Sequence, residues 1–156
     1  MKALVIGSGG REHAIVKALA ASPNISQIYV NPGRPAFQSD KVQCVKMDLA
    51  HIKEQVGFIK QQNIDFVMVG PEAPLVQGLA DKLREQDIPV VGPGAQGAQL
   101  EGSKVFSKQF MHKYNVPTAD FVEVRSVEDI EENIHRFTPP YVLKADGLAG
   151  GKGVSI

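Results

Sequence analysis

Four stretches of this chain set glycine beside charged side chains at spacings that suit phosphate and sugar chemistry. Residues 144–154 read Lys144-Ala145-Asp146-Gly147-Leu148-Ala149-Gly150-Gly151-Lys152-Gly153-Val154. Glycines let backbone N–H groups approach polyphosphate oxygens closely, and the ammonium groups of Lys144 and Lys152 offset negative charge. This is not a P-loop, because Lys152 is followed by Gly153 instead of Ser or Thr. A second stretch, Gly7-Ser8-Gly9-Gly10-Arg11-Glu12-His13, follows an apolar run and opens a helical one. The amides of Gly9 and Gly10 at a helix start, with the Arg11 guanidinium as a clamp, suit an anion. Glycines there also serve tight strand–helix packing with no ligand at all. A dinucleotide site fits poorly: glycine is needed where Glu12 stands, and the second strand ends at Asn31 without a carboxylate for the ribose.

The third stretch, Gly70-Pro71-Glu72-Ala73-Pro74-Leu75, places Glu72 between two prolines. Its carboxylate can accept hydrogen bonds from two vicinal hydroxyls, or it can simply sit in the first turn of a helix and be stabilised by the dipole. A phosphate at Gly9, Gly10 and Arg11 with a diol at Glu72 describes a sugar phosphate. The fourth, Leu100-Glu101-Gly102-Ser103-Lys104, starts a helix with a lysine. Lys104 and Lys144 together suit a nucleotide, although a lysine at such a place is ordinarily a solvated helix residue. His13, His51, His112 and His135 are scattered without ligand spacing, so no metal site follows from them. His13 alone lies inside a candidate loop, where packing or a surface role is the plainer reading. Cys44 reads as a small buried side chain in a weak strand.

The elements that would position these groups alternate along the chain. Short apolar runs at 3–6, 27–30, 42–45, 66–69 and 90–91 read as strands, and residues 11–21, 52–62 and 75–86 carry helical periodicity. Strands alternating with helices predict a doubly wound parallel α/β sheet, Rossmann-like, with right-handed crossovers. In the order 3-2-1-4-5, strands one and four are neighbours at the switch point, so the loops carrying Gly9 and Glu72 face one crevice. The second region reads as a helix at 105–114, a strand at 121–124, a helix at 127–137 begun by Ser126 with Asp129 three residues on, and strands at 141–144 and 154–156 around the glycine loop. The division falls at 1–102 and 103–156.

Composition bounds the rest. Apolar residues make up 43% of the chain and charged residues 22%, so a core can form. The 17 basic and 17 acidic side chains cancel, which argues against nucleic acid or an anionic membrane as partner. Cys44 is the only cysteine, so no internal disulfide forms, and no apolar run is long enough to span a bilayer. The apolar run after Met1 is too short for a signal peptide, and a cytoplasmic location is expected.

The motifs Gly-Ser-Gly-Gly-Arg-Glu-His-Ala from Gly7, Gly-Pro-Glu-Ala-Pro-Leu from Gly70, Leu-Glu-Gly-Ser-Lys from Leu100 and Lys-Ala-Asp-Gly-Leu-Ala-Gly-Gly-Lys-Gly-Val from Lys144 follow one another in an order that resembles the N-terminal part of the phosphoribosylamine–glycine ligase family, of the ATP-grasp superfamily. The resemblance implies ATP-dependent joining of glycine to 5-phosphoribosylamine in purine biosynthesis, through a glycyl phosphate, with ATP and magnesium required. It implies that Gly9, Gly10, Arg11 and Glu72 hold the phosphoribosyl substrate. It implies that Lys104, Lys144, Gly147, Gly150, Gly151, Lys152 and Gly153 hold ATP, and that the magnesium ligands lie beyond residue 156. It does not imply an obligate oligomer. The chain departs from the family at Pro32-Gly33-Arg34-Pro35-Ala36-Phe37, where small residues and asparagine are usual.

The last residues, one turn into a new strand, lead to the expectation of an unfinished ATP-grasp domain. The 156 residues are then expected not to catalyse ligation alone, and the glycine loop is expected to move freely without nucleotide. Two other readings stand beside the ligase. One is another ATP-grasp enzyme of the purine pathway, against which the Gly7 and Leu100 motifs argue. The other is a non-catalytic module that binds sugar phosphates.

Overall fold

The computed structural model describes residues 1–37 and 39–156, which divide into two units, Met1–Ala98 and Gln99–Ile156. In the first unit, β1 (Lys2–Gly7), β2 (Gln27–Pro32), β3 (Val42–Cys44), β4 (Phe66–Val69) and β5 (Val90–Val91) form the expected parallel sheet, in the order β3-β2-β1-β4-β5 on which the shared crevice depends. β1 is central, and Ala3 to Gly7 are all buried, the continuous apolar run of a strand covered on both faces. The period of two then splits it. Leu4 and Ile6 pack with Ile59 of α2 (Ile52–Gln62), Leu75 of α3 (Glu72–Val76), and Leu79 and Leu83 of α4 (Leu79–Arg84). Val5 turns to the other face and packs with Val16 of α1 (Gly10–Ala21), Ile28, Val30 and Phe37. Helices thus cover both faces, and the fold is doubly wound.

The register brings three loops to the carboxyl end of the sheet. Gly7 pairs with Pro32 and Ile6 with Val69, so the loops after β1, β2 and β4 leave the same end of the sheet side by side. The Gly70 N–H donates to the Ile6 carbonyl at 3.0 Å, carrying the β1–β4 pairing into the second loop.

Three expectations for the first unit change. The predicted helix over 75–86 is two helices, α3 and α4, separated at Gly78, whose φ of +80° is left-handed and ends the first. Pro74 is tolerated because it lies in the first turn of α3. A further helix, α5 (Ala95–Gly102), spans the division, and Asp81 accepts the Ala95 N–H at 2.6 Å at its start. Cys44 is half-buried on the outermost strand instead of buried, with its thiol donating to the Arg34 carbonyl at 3.2 Å.

In the second unit, α6 (Lys104–Lys113) and α7 (Val127–Asn133) precede a two-stranded antiparallel ladder of β6 (Leu143–Lys144) and β7 (Val154–Ser155). Ser126 caps α7 as predicted: its hydroxyl accepts from the Asp129 N–H, and the Asp129 carboxylate accepts from the Ser126 N–H. The helix is shorter than the 127–137 expected and tightens to a 3-10 turn at Ile134–Arg136. The strand expected at 121–124 does not form. That segment is anchored by side chains instead of a ladder: the Lys108 ammonium donates to Thr118 and to the Ala119 carbonyl, and Phe121 packs on His112. Among the described residues, no helix is long and apolar enough to cross a membrane.

Candidate functional sites: a strand-end crevice and a glycine hairpin

The first site is built on the ends of β1 and β4. Gly7 leaves β1 with φ +126°, a conformation that only glycine adopts readily, and the chain turns into α1 at Gly9. The side chain that organises this turn is Glu12, only 4% exposed. One carboxylate oxygen accepts the Gly9 N–H at 2.7 Å, and the other receives the Arg11 Nε at 3.3 Å. Gly9 has no side chain to return the bond, so only the carboxylate half of a capping box exists here. A Cβ on Gly7 would lie 2.6 Å from Glu12 Cγ, and one on Gly70 would overlap the same side chain. Both glycines therefore make room for Glu12, which fills the space between the two loops. Sequence reasoning treated Glu12 only as an obstacle to a dinucleotide motif. The signal that identifies it is a carboxylate three residues after a helix-opening residue.

Arg11 then reaches across. Its Nη1 donates to Glu72 Oε1 at 2.9 Å, linking the loop after β1 to the first turn of α3 after β4. The hydrogen bond from Arg11 holds the Glu72 carboxyl below the usual carboxylate range, helped by the backbone of the α3 turn. In return, Glu72 first and Glu12 second hold the Arg11 guanidinium above its ordinary value. The side chains of Arg11 and Glu72 are 59% and 40% exposed, so both can turn to a ligand. Gly10, between them and the sheet, has nothing within 4 Å of where a Cβ would stand. The structure thus brings Gly9, Gly10, Arg11 and Glu72 together at the carboxyl ends of β1 and β4.

The neighbouring loop after β2 is tied down by packing. Asn31 is fully buried, and its side-chain amide exchanges hydrogen bonds with the backbone of Met47, donating at 3.1 Å and accepting at 2.9 Å. The position where a dinucleotide-binding strand ends in an acid is thus spent on loop structure. Phe37, in the divergent Pro32–Phe37 stretch, is buried and stacks on His13 of α1, with ring centroids 4.6 Å apart and planes at 9°. His13 is therefore a packing residue, and this loop is fastened to the helix that carries Arg11.

The second site is the hairpin of the second unit. Ala145 donates its N–H to the Gly153 carbonyl at 2.8 Å, which closes residues 145–153 into a loop. Gly147, Gly150 and Gly151 have φ of +87°, +56° and +79°, and nothing lies within 4 Å of where their Cβ atoms would stand. Their backbone is open to approach. Lys144, Asp146, Lys152 and Gly153 line one groove of about 570 Å³, walled on its apolar side by Val124, Val127, Ile130, Leu143 and Val154. That volume lies within the range of small-molecule sites.

Lys104 does not line that groove. Its ammonium donates to the Gly147 carbonyl at 2.8 Å, and Asp146 accepts the backbone N–H of Lys104 at 2.6 Å. Burial raises the Asp146 carboxyl, but the N–H groups of Val105, Lys104 and Gly147 and the Ser103 hydroxyl outweigh it and hold the group below the usual range. Among the described residues, no three His, Cys, Asp or Glu side chains converge where a metal ion could be held.

Residues 1–101 match the family model described as phosphoribosylglycinamide synthetase, N domain, and residues 102–156 match the ATP-grasp (A) domain of the same synthetase. The whole chain is 46% identical to a phosphoribosylamine–glycine ligase of Clostridium acetobutylicum and 46% identical to one of Rhizobium meliloti, spanning 37% of the length of each. The crystal structure of the phosphoribosylamine–glycine ligase of Thermotoga maritima is similar over 99% of this chain and 35% of its own, with a TM-score of 0.74 at 32% identity. Over its first 101 residues as the N domain and from residue 102 as the ATP-grasp domain, this chain belongs to the phosphoribosylglycinamide synthetase family.

Proposed function

We propose that the protein carrying this chain is a ligase that joins glycine to 5-phosphoribosylamine at the expense of ATP, through a glycyl phosphate, in the cytoplasmic synthesis of purines. The observation that carries this reading is the 2.9 Å pair between Arg11 and Glu72 across neighbouring strand ends. It sets a guanidinium suited to a phosphate one side chain away from a carboxylate suited to ribose hydroxyls. In this reading Gly9 and Gly10 offer their N–H groups to the phosphate, Arg11 clamps it, and Glu72 accepts from the diol. Fixing the sugar phosphate at both ends orients its amine, which converts a bimolecular encounter into a positioned attack.

The nucleotide belongs, in the same reading, to the hairpin. Lys144 and Lys152 supply positive charge, the open backbone of Gly147, Gly150 and Gly151 approaches the phosphates, and Gly153, packed against Ala145 and Ala149, lines the groove beside them. Lys104 exchanges the Gly147 carbonyl for a phosphate oxygen. Magnesium supplies charge neutralisation at a transferring phosphoryl group when bound. The described residues do not offer a cluster to hold it, and no magnesium ligand is proposed among them. Glycine and ATP complete the small-molecule partners.

The test is ADP formation dependent on glycine and phosphoribosylamine, measured on the protein at its natural length, with Glu72→Gln beside the parent. The KM for phosphoribosylamine is expected to rise about tenfold or more, as for loss of a hydrogen bond to a charged group, with the KM for ATP little changed. Equal losses for both substrates would mean that Glu72 holds structure and not substrate.

A further inference from the structure

Asp146 is the most densely hydrogen-bonded side chain among the described residues of the second unit, and its partners lie at the start of α6. Its carboxylate accepts the backbone N–H of Lys104 at 2.6 Å and of Val105 at 3.2 Å, and the Ser103 hydroxyl donates to both of its oxygens at 3.2 and 3.1 Å. The Ser103 hydroxyl itself accepts the Phe106 N–H at 3.1 Å. One carboxylate thus satisfies N–H groups of the first turn of α6 that have no partner within the helix. Asp146 lies on the other strand-loop element, 42 residues away from Lys104, and the next residue, Gly147, accepts from the Lys104 ammonium at 2.8 Å.

We infer that Asp146 is a positioning residue for nucleotide binding: it clamps the start of α6 to the entrance of the glycine loop, so that Lys104 and the loop meet a nucleotide as one preformed unit. The inference rests on the reading that this hairpin takes ATP. Its physical content is preorganisation. Without the clamp, the nucleotide would have to order α6 and the loop as it binds, and that entropy would be lost from its affinity. Beside it, the Lys104 ammonium also ties α6 to the loop through the Gly147 carbonyl, a bond that Lys104 gives up when it turns to a phosphate. Charge matters as well as shape: Oδ1 accepts both N–H groups, and an Asn that keeps an oxygen there offers them neutral hydrogen bonds of roughly half the strength while turning its own NH2 toward the Ser103 hydroxyl.

The experiment uses the protein at its natural length, with ATP affinity and ribose 5-phosphate affinity measured by calorimetry and amide exchange followed over residues 103–106 and 144–153. In the parent, ATP is expected to slow exchange across both segments; if it slows neither, the hairpin does not take ATP and the inference falls with that reading. Given that protection, Asp146→Asn is expected to weaken ATP at least tenfold, to speed exchange at Lys104 and Val105 without nucleotide, and to leave ribose 5-phosphate binding within twofold. Asp146→Glu, which keeps the charge, is expected to recover most of the ATP affinity. An Asp146→Asn protein that binds ATP like the parent overturns the inference alone. So does one that loses both ligands equally while Asp146→Glu restores neither, because that pattern belongs to general destabilisation.

Discussion

The two units position their candidate sites by opposite means. In Met1–Ala98 the groups at the carboxyl ends of β1 and β4 rest on a core of fully buried side chains, among them Leu4, Ile6, Ile28, Val30 and Leu83, on both faces of the sheet. In Gln99–Ile156 every described side chain keeps some contact with solvent, and Val127, Val142, Leu143 and Ile156 are at least half exposed. There the geometry is set by polar contacts: Asp146 at α6, Ser126 and Asp129 at α7, and Lys108 at Thr118. Buried packing is worth kilocalories per side chain and resists local opening, whereas exposed hydrogen bonds compete with water. In the proposed reading, a sugar phosphate meets a surface held by packing, whereas a nucleotide meets one held by the polar clamp at Asp146.

The largest expected effect lies in the first unit's core. Leu83→Ala removes a side chain with no solvent exposure and should cost about 3 kcal/mol in urea unfolding, within the usual span for such truncations. A loss below about 1 kcal/mol would erase the contrast between the units. Next is Gly70→Ala, whose Cβ would overlap the Glu12 side chain. Overpacking of that kind costs about 1–3 kcal/mol. Because Glu12 also holds Gly9 and Arg11, ribose 5-phosphate binding should fall with it; a variant as stable as the parent that binds normally would show that Glu12 does not fill the gap between the loops.

A smaller effect is expected in acid. The Glu72 carboxyl is depressed by Arg11, so its contribution is fully present above the ordinary carboxylate pKa of about 4.3 and is lost as pH falls through the lower folded value. The pair is exposed, so the effect on stability should stay below about 1 kcal/mol. Measured by urea unfolding, the gap between the parent and Glu72→Gln should be widest near neutrality and close in strong acid. A gap that widens on acidification has the wrong sign. The smallest effect belongs to the second unit: Val127 is 65% exposed, and Val127→Ala should change stability by no more than about 0.5 kcal/mol. A loss like that of Leu83→Ala would mean that the unit buries this side chain in solution.

Legibility in the sequence follows the same divide. The short apolar runs of β1 and β4, alternating with helical segments, suffice for a doubly wound parallel sheet, and the order 3-2-1-4-5 is the common one for such a sheet. The pairing of the Gly9 and Glu72 loops follows from that order. Gly78 was harder to read, because an apolar stripe continues across it and only its left-handed backbone divides α3 from α4. The segment at 121–124 has strand composition but gains its anchorage from Lys108 and His112, contacts that no local pattern encodes. Glu12 and Asp146 were missed as organisers for one reason: each acts on backbone N–H groups, and in Asp146 those belong to an element 42 residues away. Motif reading finds side chains that face a ligand more readily than those that face the main chain.

The central claim is that two sites of different build take two different ligands, and amide exchange on the protein at its natural length tests it most directly, with ribose 5-phosphate alone and then ADP alone. The sugar phosphate is expected to slow exchange at residues 8–13 and 70–73 and to leave 144–153 unchanged, and ADP to slow 144–153 and leave 8–13 unchanged. Protection of 144–153 by ribose 5-phosphate, with residues 8–13 untouched, would contradict it.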